Sequence, residues 1–400
     1  MRELRGAPPA APRLRQLRVL QVAAGPRGPR GRGGLIPAAL DAPPAALDAL
    51  PVALDALGGD DAPRVTIEAA RMACARGLGP VALVVAPGAL SAQARAALPA
   101  GVRVVEAAEA IAMGDSPARA ARAKPHSTMH VGLRLVRDGE ACAFVTAGNS
   151  GAALAVGLVT LRRAEGCERP AIASLMPSLR GPVVLLDMGA NVDCRPRHLA
   201  QFALMGAAYA RAVGGVARPR VGLLSNGQEP TKGTEALREA HAALAALGAR
   251  EELEYVGFVE GRDLPLGSCD VVVTDGFVGN VALKVSEGVV EALSLRVRRA
   301  LEGRWWTRAL GALLRVALRG LRAELDWRRV GGAPALGLRG AVVISHGSAD
   351  AEALCAAVAR ARECARKDLP GRVSRALALA PLPPTADPLS ARDREAPIDL

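Results

Sequence analysis

The sequence predicts an α/β fold, with a doubly wound, mostly parallel sheet in a three-layer α/β/α arrangement. Apolar runs of strand length alternate along the chain with stretches of helical period. Most of these runs are continuously apolar, as expected where helices cover both faces of a parallel sheet. Half of the 400 residues are apolar and only 2% are aromatic, so the core consists mainly of Ala, Val and Leu.

The two ends of the chain differ in composition from its centre. The N-terminal residues are rich in Arg, Pro, Gly and Ala without a sustained period. A five-residue motif is then repeated every seven residues, with copies at 38–42, 45–49 and 52–56. Only the third copy leads into a Gly-Gly turn. We therefore predict a disordered extension over 1–50, one catalytic α/β domain over 51–375 and a loose tail over 376–400.

Eight apolar runs have the length and composition of strands. They lie at 81–86, 102–105, 141–147, 183–187, 220–225, 255–259, 270–274 and 341–345. Helical periods between them include 66–77, 199–213, 233–248, 280–294 and 350–366. Residues 141–161 lack charge and are long enough to span a bilayer, but Gly148 and Asn149 interrupt them. A strand, a turn and a buried helix explain that stretch better, since Asn is costly in lipid.

The formal net charge of +12 is concentrated in two segments. Residues 1–34 contain eight Arg and one Glu, and residues 295–329 contain ten Arg and three acidic residues, so each carries +7. The other residues together carry a net charge of −2 (12 − 14). This distribution argues against a nucleic-acid-binding surface spread over the fold. The seven cysteines form no CxxC pair and lie near no His at zinc-ligand spacing, which predicts free thiols in a reducing cytosol.

Five segments combine the end of an apolar, strand-like run with a Gly-rich turn that contains Asn or Asp. They lie at 54–60, 146–151, 186–193, 223–227 and 274–280. Because ligands of open α/β sheets bind beyond the carboxyl ends of the strands, these turns predict the active site. Helix N-termini there offer unpaired N–H groups to an anion, and glycine allows close backbone approach. No GxGxxG or GxxxxGK[ST] loop follows a strand, so nucleotide binding is not indicated.

Rare residue types mark the same turns. Of the 51 cationic residues only four are Lys: Lys124, Lys232, Lys284 and Lys367. The four Asn residues, each with a Gly within two positions, are Asn149, Asn191, Asn226 and Asn280. Singly, such a Lys is usually a solvated cation and such an Asn usually supplies a turn conformation. Clustered at strand ends they predict a site for a phosphate-like anion. No GxSxG elbow is present, which favours direct attack by that anion over an acyl-enzyme.

Nine segments, taken in order, resemble those of the bacterial phosphate acyltransferase family. They are LDALGGDDAP (54–63), RAKPHSTM (122–129), TAGNSG (146–151), LLDMGANVD (185–193), GLLSNGQEPTKG (222–233), VEGRDL (259–264), DVVVTDGFVGN (270–280), VGGAPALGL (330–338) and SHGSAD (345–350). Any one string is weakly specific, but the ordered set is highly specific.

The resemblance implies transfer of a fatty acyl group from acyl carrier protein to inorganic phosphate, early in phospholipid synthesis. It also implies a fold like that of phosphotransacetylases and isocitrate-dehydrogenase-type enzymes, a homodimer, and no metal, nucleotide or other cofactor. The corresponding location is cytoplasmic, with peripheral association to an anionic membrane surface. There the product would pass to a membrane glycerol-phosphate acyltransferase.

The turns and the resemblance together indicate the site residues. The expected catalytic residues are Asn149, Lys232, Arg262, Asp275, Asn280, Lys284 and His346. The expected substrate-binding residues are Asp55, Gly58, Gly59, Asp60, Lys124, Ser150, Asp187, Asn191, Asp193, Asn226, Gly276 and Gly279. Phosphate is a competent nucleophile once it is held and aimed at a thioester carbonyl.

Roles within this set follow from charge and hydrogen-bonding capacity. Lys232, Arg262 and Lys284 are expected to hold phosphate. Asn149, Asn280 and nearby main-chain N–H groups are expected to stabilise the oxyanion that develops on the thioester. Three aspartates would orient these groups: Asp187, Asp193 and Asp275. An imidazole at the end of the last apolar run, that of His346, is expected to assist proton transfer.

Three positions depart from the family pattern. Asp61 and Phe258 stand where His and Asn, respectively, are usual, and Ser225 stands where Asn is usual. These departures leave open a catalytically degenerate, membrane-associated scaffold of lipid synthesis. A small-acyl phosphotransacetylase that uses coenzyme A is the other alternative. An apolar tunnel for a fatty chain would distinguish the enzyme that uses acyl carrier protein from the one that uses coenzyme A, and the sequence does not reveal whether such a tunnel exists.

Residues 304–322 have the pattern of a basic amphipathic helix preceded by two Trp residues. The expected membrane contacts are Trp305, Trp306, Leu310, Leu313 and Leu314. A dimer or core helix with a solvated Arg face fits the same pattern equally well. The Arg face would also attract the acidic carrier protein. The family resemblance favours the membrane interpretation.

Overall fold

Twelve strands form two sheets within the part of the chain that the computed structural model describes, residues 44–248, 253–302 and 331–379. The first sheet consists of β1 (Val52–Asp55), β2 (Val81–Val85), β3 (Val102–Glu106), β4 (Ala143–Thr146), β5 (Ala171–Ile172), β11 (Ala333–Leu336) and β12 (Ala341–Ile344). The second consists of β6 (Ser174–Met176), β7 (Val183–Leu186), β8 (Arg220–Leu224), β9 (Glu254–Val259) and β10 (Val271–Val273).

Both sheets are mostly parallel. The strand order is β3-β2-β1-β4-β12-β11-β5 in the first sheet and β6-β7-β10-β8-β9 in the second. Only β11, against β12 and β5, and β6, against β7, pair in antiparallel fashion. The predicted α/β class with mostly parallel strands is confirmed, and all eight predicted strands are present. The strands divide between two sheets instead of forming one.

Twelve described helices surround the strands. They are α1 (Pro44–Ala49), α2 (Arg64–Ala75), α3 (Ala92–Ala96), α4 (Pro117–Ala123), α5 (Thr128–Arg137), α6 (Ser150–Thr160), α7 (Pro196–Ala212), α8 (Glu235–Gly248), α9 (Asp263–Leu266), α10 (Gly276–Glu302), α11 (Ala351–Arg366) and α12 (Leu369–Leu379). The uncharged stretch 141–161 forms β4, a turn and the mostly buried α6, as predicted. None of the described helices is long and apolar enough to cross a membrane.

The two sheets meet where β5 runs into β6. Ala173 alone separates these strands, and its main-chain N–H donates to Pro334 O at 3.0 Å. The Ile172 N–H donates to Asp187 Oδ1 at 2.9 Å, so the edge of the first sheet is bonded to the turn that follows β7. This connection brings the carboxyl ends of strands from both sheets to one region.

Helix α1 lies ahead of Pro51, where the sequence predicts the catalytic domain to begin, and it contains the whole of the second repeat copy, 45–49. Arg362 of α11 is 2% exposed and holds this segment in place. Its guanidinium donates to five main-chain carbonyl oxygens, those of Leu47, Asp48, Leu50, Leu78 and Pro80. Arginine suits this position because its planar fork has five N–H donors.

Candidate active site

Asp55 organises the turn at the carboxyl end of β1. The side chain is buried, and its two oxygens accept hydrogen bonds from Thr146 Oγ1 at 2.8 Å and from Leu57 N at 3.1 Å. Burial raises the pKa of Asp55, and hydrogen bonds from Thr128, Thr146 and Leu57 act in the opposite direction. Both carboxylate oxygens accept hydrogen bonds from the protein, which favours a positioning role, and the expected substrate contact of Asp55 stays a prediction. Asp55 positions the turn.

The turns after β1, β4 and β12 are in direct contact. A Cβ atom at Gly58 would lie 2.7 Å from Gly148 N and 2.8 Å from Thr146 Oγ1, so only glycine permits this approach. The Asp60 N–H donates to Gly347 O at 2.8 Å, which joins the β1 turn to the loop after β12. Gly59, with φ of +106°, connects the two contacts.

Asn149 is fully engaged by its own surroundings. Its Oδ1 caps α6 by accepting from Ala152 N at 3.0 Å. Its Nδ2 donates to the main-chain oxygens of Met113 and Asp115 at 2.9 and 3.0 Å. Both amide hydrogens are thus used within the protein, which favours a role for Asn149 in holding the loop, and its expected role as an oxyanion donor stays a prediction. Lys124 supports the same loop, because its Nζ lies 2.5 Å from Asp115 Oδ2.

Asp187 is a buried carboxylate that holds the turn after β7 in the second sheet, as Asp55 holds the turn after β1 in the first. It is fully buried, and its Oδ1 accepts from the main-chain N–H groups of Ile172, Met188 and Ala190. Its Oδ2 accepts from Asn191 N at 2.6 Å and from Asn191 Nδ2 at 2.8 Å. Burial raises the pKa of Asp187, and these hydrogen bonds oppose that effect. Asp187 and the buried Asn191 therefore shape the turn, and their expected contacts with substrate stay predictions.

The first turn of α10 packs on this turn. Asp275 Oδ1 caps α10 by accepting from Val278 N at 2.8 Å, and the Gly276 N–H donates to Asn191 O at 2.7 Å. A Cβ atom at Gly279 would collide with the main-chain oxygen of Asp187. Glycines at these positions thus fix the start of α10 against the second sheet.

The loops after β8 and β9 present two cations. Asn226 Oδ1 closes the β8 loop by accepting from Gly233 N at 3.0 Å. Lys232 is exposed and has no ion pair within the described ranges. Arg262 is exposed, and its Nε lies 3.1 Å from Glu260 Oε2. Both expected phosphate ligands are accessible at the carboxyl edge of the second sheet.

One side-chain contact joins the carboxyl edges of the two sheets. Lys284 Nζ, on α10, lies 3.3 Å from Nε2 of His346, in the loop after β12. The same Nζ donates to Glu287 Oε2 at 2.9 Å, and His346 Nδ1 lies 2.8 Å from Ser348 Oγ. The ammonium of Lys284 and the imidazole of His346 are thereby neighbours beyond the carboxyl ends of the strands of both sheets.

The remaining expected site residues are exposed side chains on the same turns. They are Asp60, Ser150, Asp193 and Asn280. Asn280 Cβ is close to Gly189, since a Cβ atom built on that glycine would lie 3.9 Å away. The expected membrane contacts Trp305, Trp306, Leu310, Leu313 and Leu314 lie outside the described residues.

The chain matches known proteins over most of its length. Residues 50–372 match the family model described as fatty acid synthesis protein. The phosphate acyltransferase of Myxococcus xanthus strain DK1622 is 46% identical over 338 residues, 82% of this chain and 95% of that protein. The phosphate acyltransferase of Anaeromyxobacter sp. strain K is 46% identical over 325 residues, 80% of this chain and 89% of that protein. The chain belongs to the phosphate acyltransferase family. It is therefore an acyltransferase enzyme.

Solved structures of phosphotransacetylases share the fold of this phosphate acyltransferase. A phosphotransacetylase from Streptococcus pyogenes has a TM-score of 0.54 at 17% identity, covering 80% of this chain and 96% of that one. A phosphotransacetylase from Staphylococcus aureus has a TM-score of 0.50 at 15% identity, covering 82% and 97%. The implied similarity to the phosphotransacetylase fold is thus confirmed.

Two departures from the family pattern have local structural explanations in this acyltransferase. Phe258 is buried, and its ring stacks on His241 with centroids 4.7 Å apart, so it belongs to the core of the second sheet. Asp61 is exposed and pairs with Arg64 at 3.4 Å. The Ser225 hydroxyl makes only a long contact of 3.4 Å to Asn226 Oδ1.

Sequence reasoning missed three groups that shape the site of the acyltransferase. Thr146 bonds the buried Asp55, while Glu260 and Glu287 pair with expected phosphate ligands. Glu287 had a detectable signal, because residues three apart on a helix share a face and Lys284 precedes it by three. Thr146 had a weaker signal, as the first residue of the TAGNSG turn.

Proposed function

We propose that this acyltransferase forms acyl phosphate from fatty acyl-acyl carrier protein and inorganic phosphate. The contact between Lys284 and His346 supports this most strongly, because it places a cation and an imidazole together at the strand ends. A phosphate dianion at that place would be held by the ammonium and by the main-chain N–H groups of the neighbouring turns.

The reaction needs no covalent enzyme intermediate. An oxygen of HPO₄²⁻ attacks the thioester carbonyl carbon, and the carbonyl oxygen gains negative charge. The C–S bond then breaks, acyl phosphate leaves, and the proton lost by phosphate passes to the carrier thiolate. In this proposal His346 relays that proton and Lys284 aims the attacking oxygen. Positioning and charge stabilisation provide the rate enhancement.

The other site residues divide into exposed ligands and buried supports. Lys232 and Arg262 line the outer part of the edge and would attract anionic groups of the substrates. Asn280 at the start of α10 is placed to donate to the developing oxyanion. Asp55 and Asp187 hold the turns that carry these groups, and removing either would disturb the geometry without removing a substrate contact.

Helix α10 supports a homodimer. Apolar side chains at its surface are widely exposed, at 62% for Phe277, 60% for Val289 and 61% for Leu293. A continuous apolar stripe on a long helix is typical of an interaction surface. We propose that a second copy of the chain covers it.

The proposal also includes peripheral association with an anionic membrane. There the enzyme would deliver its product to a membrane glycerol-phosphate acyltransferase in phospholipid synthesis.

The test incubates the full chain with acyl-carrier-protein thioester and inorganic phosphate, and measures acyl phosphate and free thiol. Equal amounts of both products are expected, and neither should form without phosphate. Acetyl-coenzyme A in a parallel reaction tests the alternative substrate. Turnover of coenzyme A thioester alone would contradict the carrier-protein assignment, and no turnover of either would favour a scaffold.

A further inference from the structure

We propose that Glu287 is a positioning residue for Lys284, a role that rests on the proposed function. Its carboxylate holds the ammonium against His346 and at the same time competes with phosphate for that ammonium. Glu287 would thereby raise the turnover rate at some cost in phosphate affinity.

The geometry places the ammonium between two partners. Lys284 Nζ lies 2.9 Å from Glu287 Oε2 and 3.3 Å from His346 Nε2. Glu287 is the more buried member of the ion pair, with 32% of its side chain exposed against 49% for Lys284. A lysine side chain has a flexible four-carbon stem, so its head group needs such a partner to remain in one orientation.

Helix α10, which carries both Glu287 and Lys284, is held firmly at its start. Glu287 is on the same helix as Gly276 and Gly279, whose close contacts fix α10 against the turn after β7. The carboxylate position is therefore set by the second sheet, while the imidazole position is set by the first. Lys284 connects the two only as long as the carboxylate directs it.

Pairing with an acid recurs among the cations that are expected site residues. Arg262 pairs with Glu260 at 3.1 Å, and Lys124 pairs with Asp115 at 2.5 Å. Exposed ion pairs of this kind contribute little to stability, so their main effect is on orientation and local charge. A neutral residue in place of Glu287 would increase the positive charge felt by a phosphate dianion.

Two opposite effects on one variant distinguish positioning from a structural role. Glu287→Gln is expected to lower kcat by about tenfold, since the ammonium loses its orientation. The same variant should bind inorganic phosphate more tightly than wild type, because the competing carboxylate charge is gone. Glu287→Asp, which keeps the charge, should recover part of kcat. Glu291→Gln, an exposed change one turn further along α10, is the charge-matched control and should behave as wild type.

Steady-state kinetics with acyl-carrier-protein thioester measures the first effect, and calorimetric titration with inorganic phosphate measures the second without any acyl substrate. Unchanged or weaker phosphate binding by Glu287→Gln would overturn the proposal, whatever the turnover. A kcat equal to that of wild type would overturn it as well. If wild type binds phosphate but forms no acyl phosphate, the proposed function fails, and calorimetry alone still decides whether Glu287 competes for Lys284.

Discussion

Lys284 makes a side-chain contact between the carboxyl edges of the two sheets, since its Nζ lies 3.3 Å from Nε2 of His346, in the loop after β12. On the proposed function, Lys284→Ala removes the cation that would aim phosphate at the thioester. We expect kcat/KM for phosphate to fall by about 100-fold, the size of effect seen when one preorganised charge-stabilising group is lost. Steady-state kinetics with phosphate as the varied substrate measures this loss.

Lys367→Ala is the matched control for Lys284→Ala. Lys367 is a cation at the end of α11 that pairs with Glu363 at 2.9 Å and lies on none of the site turns. The Lys367→Ala variant should have the same kcat/KM as wild type, and both variants should melt near the wild-type temperature. Equal activity of Lys284→Ala and Lys367→Ala would contradict the assignment of Lys284.

His130 links stability to pH. It is buried on α5 with Nδ1 2.9 Å from Ser127 Oγ, and burial followed by the charge of Arg134 lowers its pKa below the ordinary value of 6.5. The unfolded chain takes up a proton near that ordinary value while folded His130 stays neutral. Stability from this group is therefore present above pH 6.5 and is lost as the pH falls towards the folded pKa.

We expect the difference in free energy of unfolding between wild type and His130→Gln to shrink as the pH falls from about 7 to about 5. Urea denaturation at a series of pH values measures this difference. A constant difference across the range would refute the effect.

At the residue scale, sequence predicted where polar groups lie better than what they do. Asp55, Asp187 and Asn149 were placed correctly at strand ends because each follows an apolar run and precedes a Gly turn. Their roles were not predictable, since a residue type does not reveal whether its polar atoms face a ligand or the surrounding N–H and C=O groups. That choice depends on three-dimensional packing, which buries the two aspartates and engages the asparagine with Met113 and Asp115.

At the element scale, α1 depends on α11 through Arg362. Lysine in its place keeps the charge but has three donors instead of five and no planar fork. Arg362→Lys should therefore lower the free energy of unfolding by about 3 kcal/mol, because buried carbonyl oxygens lose their partners. Urea denaturation measures the change. Arg375→Lys, at an ion pair with Asp368 whose arginine side chain is 63% exposed, is the control.

A loss no larger than that of Arg375→Lys would show that the five hydrogen bonds of Arg362 are not a main support of α1. The dependence of α1 on a residue more than 300 positions away also explains why residues 45–49 were assigned to the N-terminal extension from sequence. Local composition at 45–49 predicts no partner, and the hydrogen-bond donors come from the other end of the chain.

Strand prediction succeeded for eight apolar runs and missed β1, β5, β6 and β11, which have two to four residues each. The runs that form β2, β4 and β12 are buried at every residue, so their composition is decisive. By contrast, β5 and β6 have two and three residues and no distinctive pattern. These two short strands separate the sheets, so the sequence predicted one sheet where the structure has two.

At the scale of the whole molecule, the division into two sheets explains the position of the site. Each sheet brings a buried aspartate and a set of Gly turns to its carboxyl edge, and Lys284 with His346 spans the junction. The chemistry is therefore expected between the sheets and not within one of them. The wide pocket beside Arg71 and Cys74 lies at the amino ends of β2 and β3, remote from these turns.

A crystal structure of the full chain with inorganic phosphate tests the location of the site most directly. We predict a phosphate ion in contact with Lys284 Nζ at the junction with His346, within reach of the main-chain N–H groups of the turns. Phosphate bound only at Lys232 or Arg262, with the Lys284–His346 contact intact and empty of anion, would contradict a nucleophile site between the two sheets.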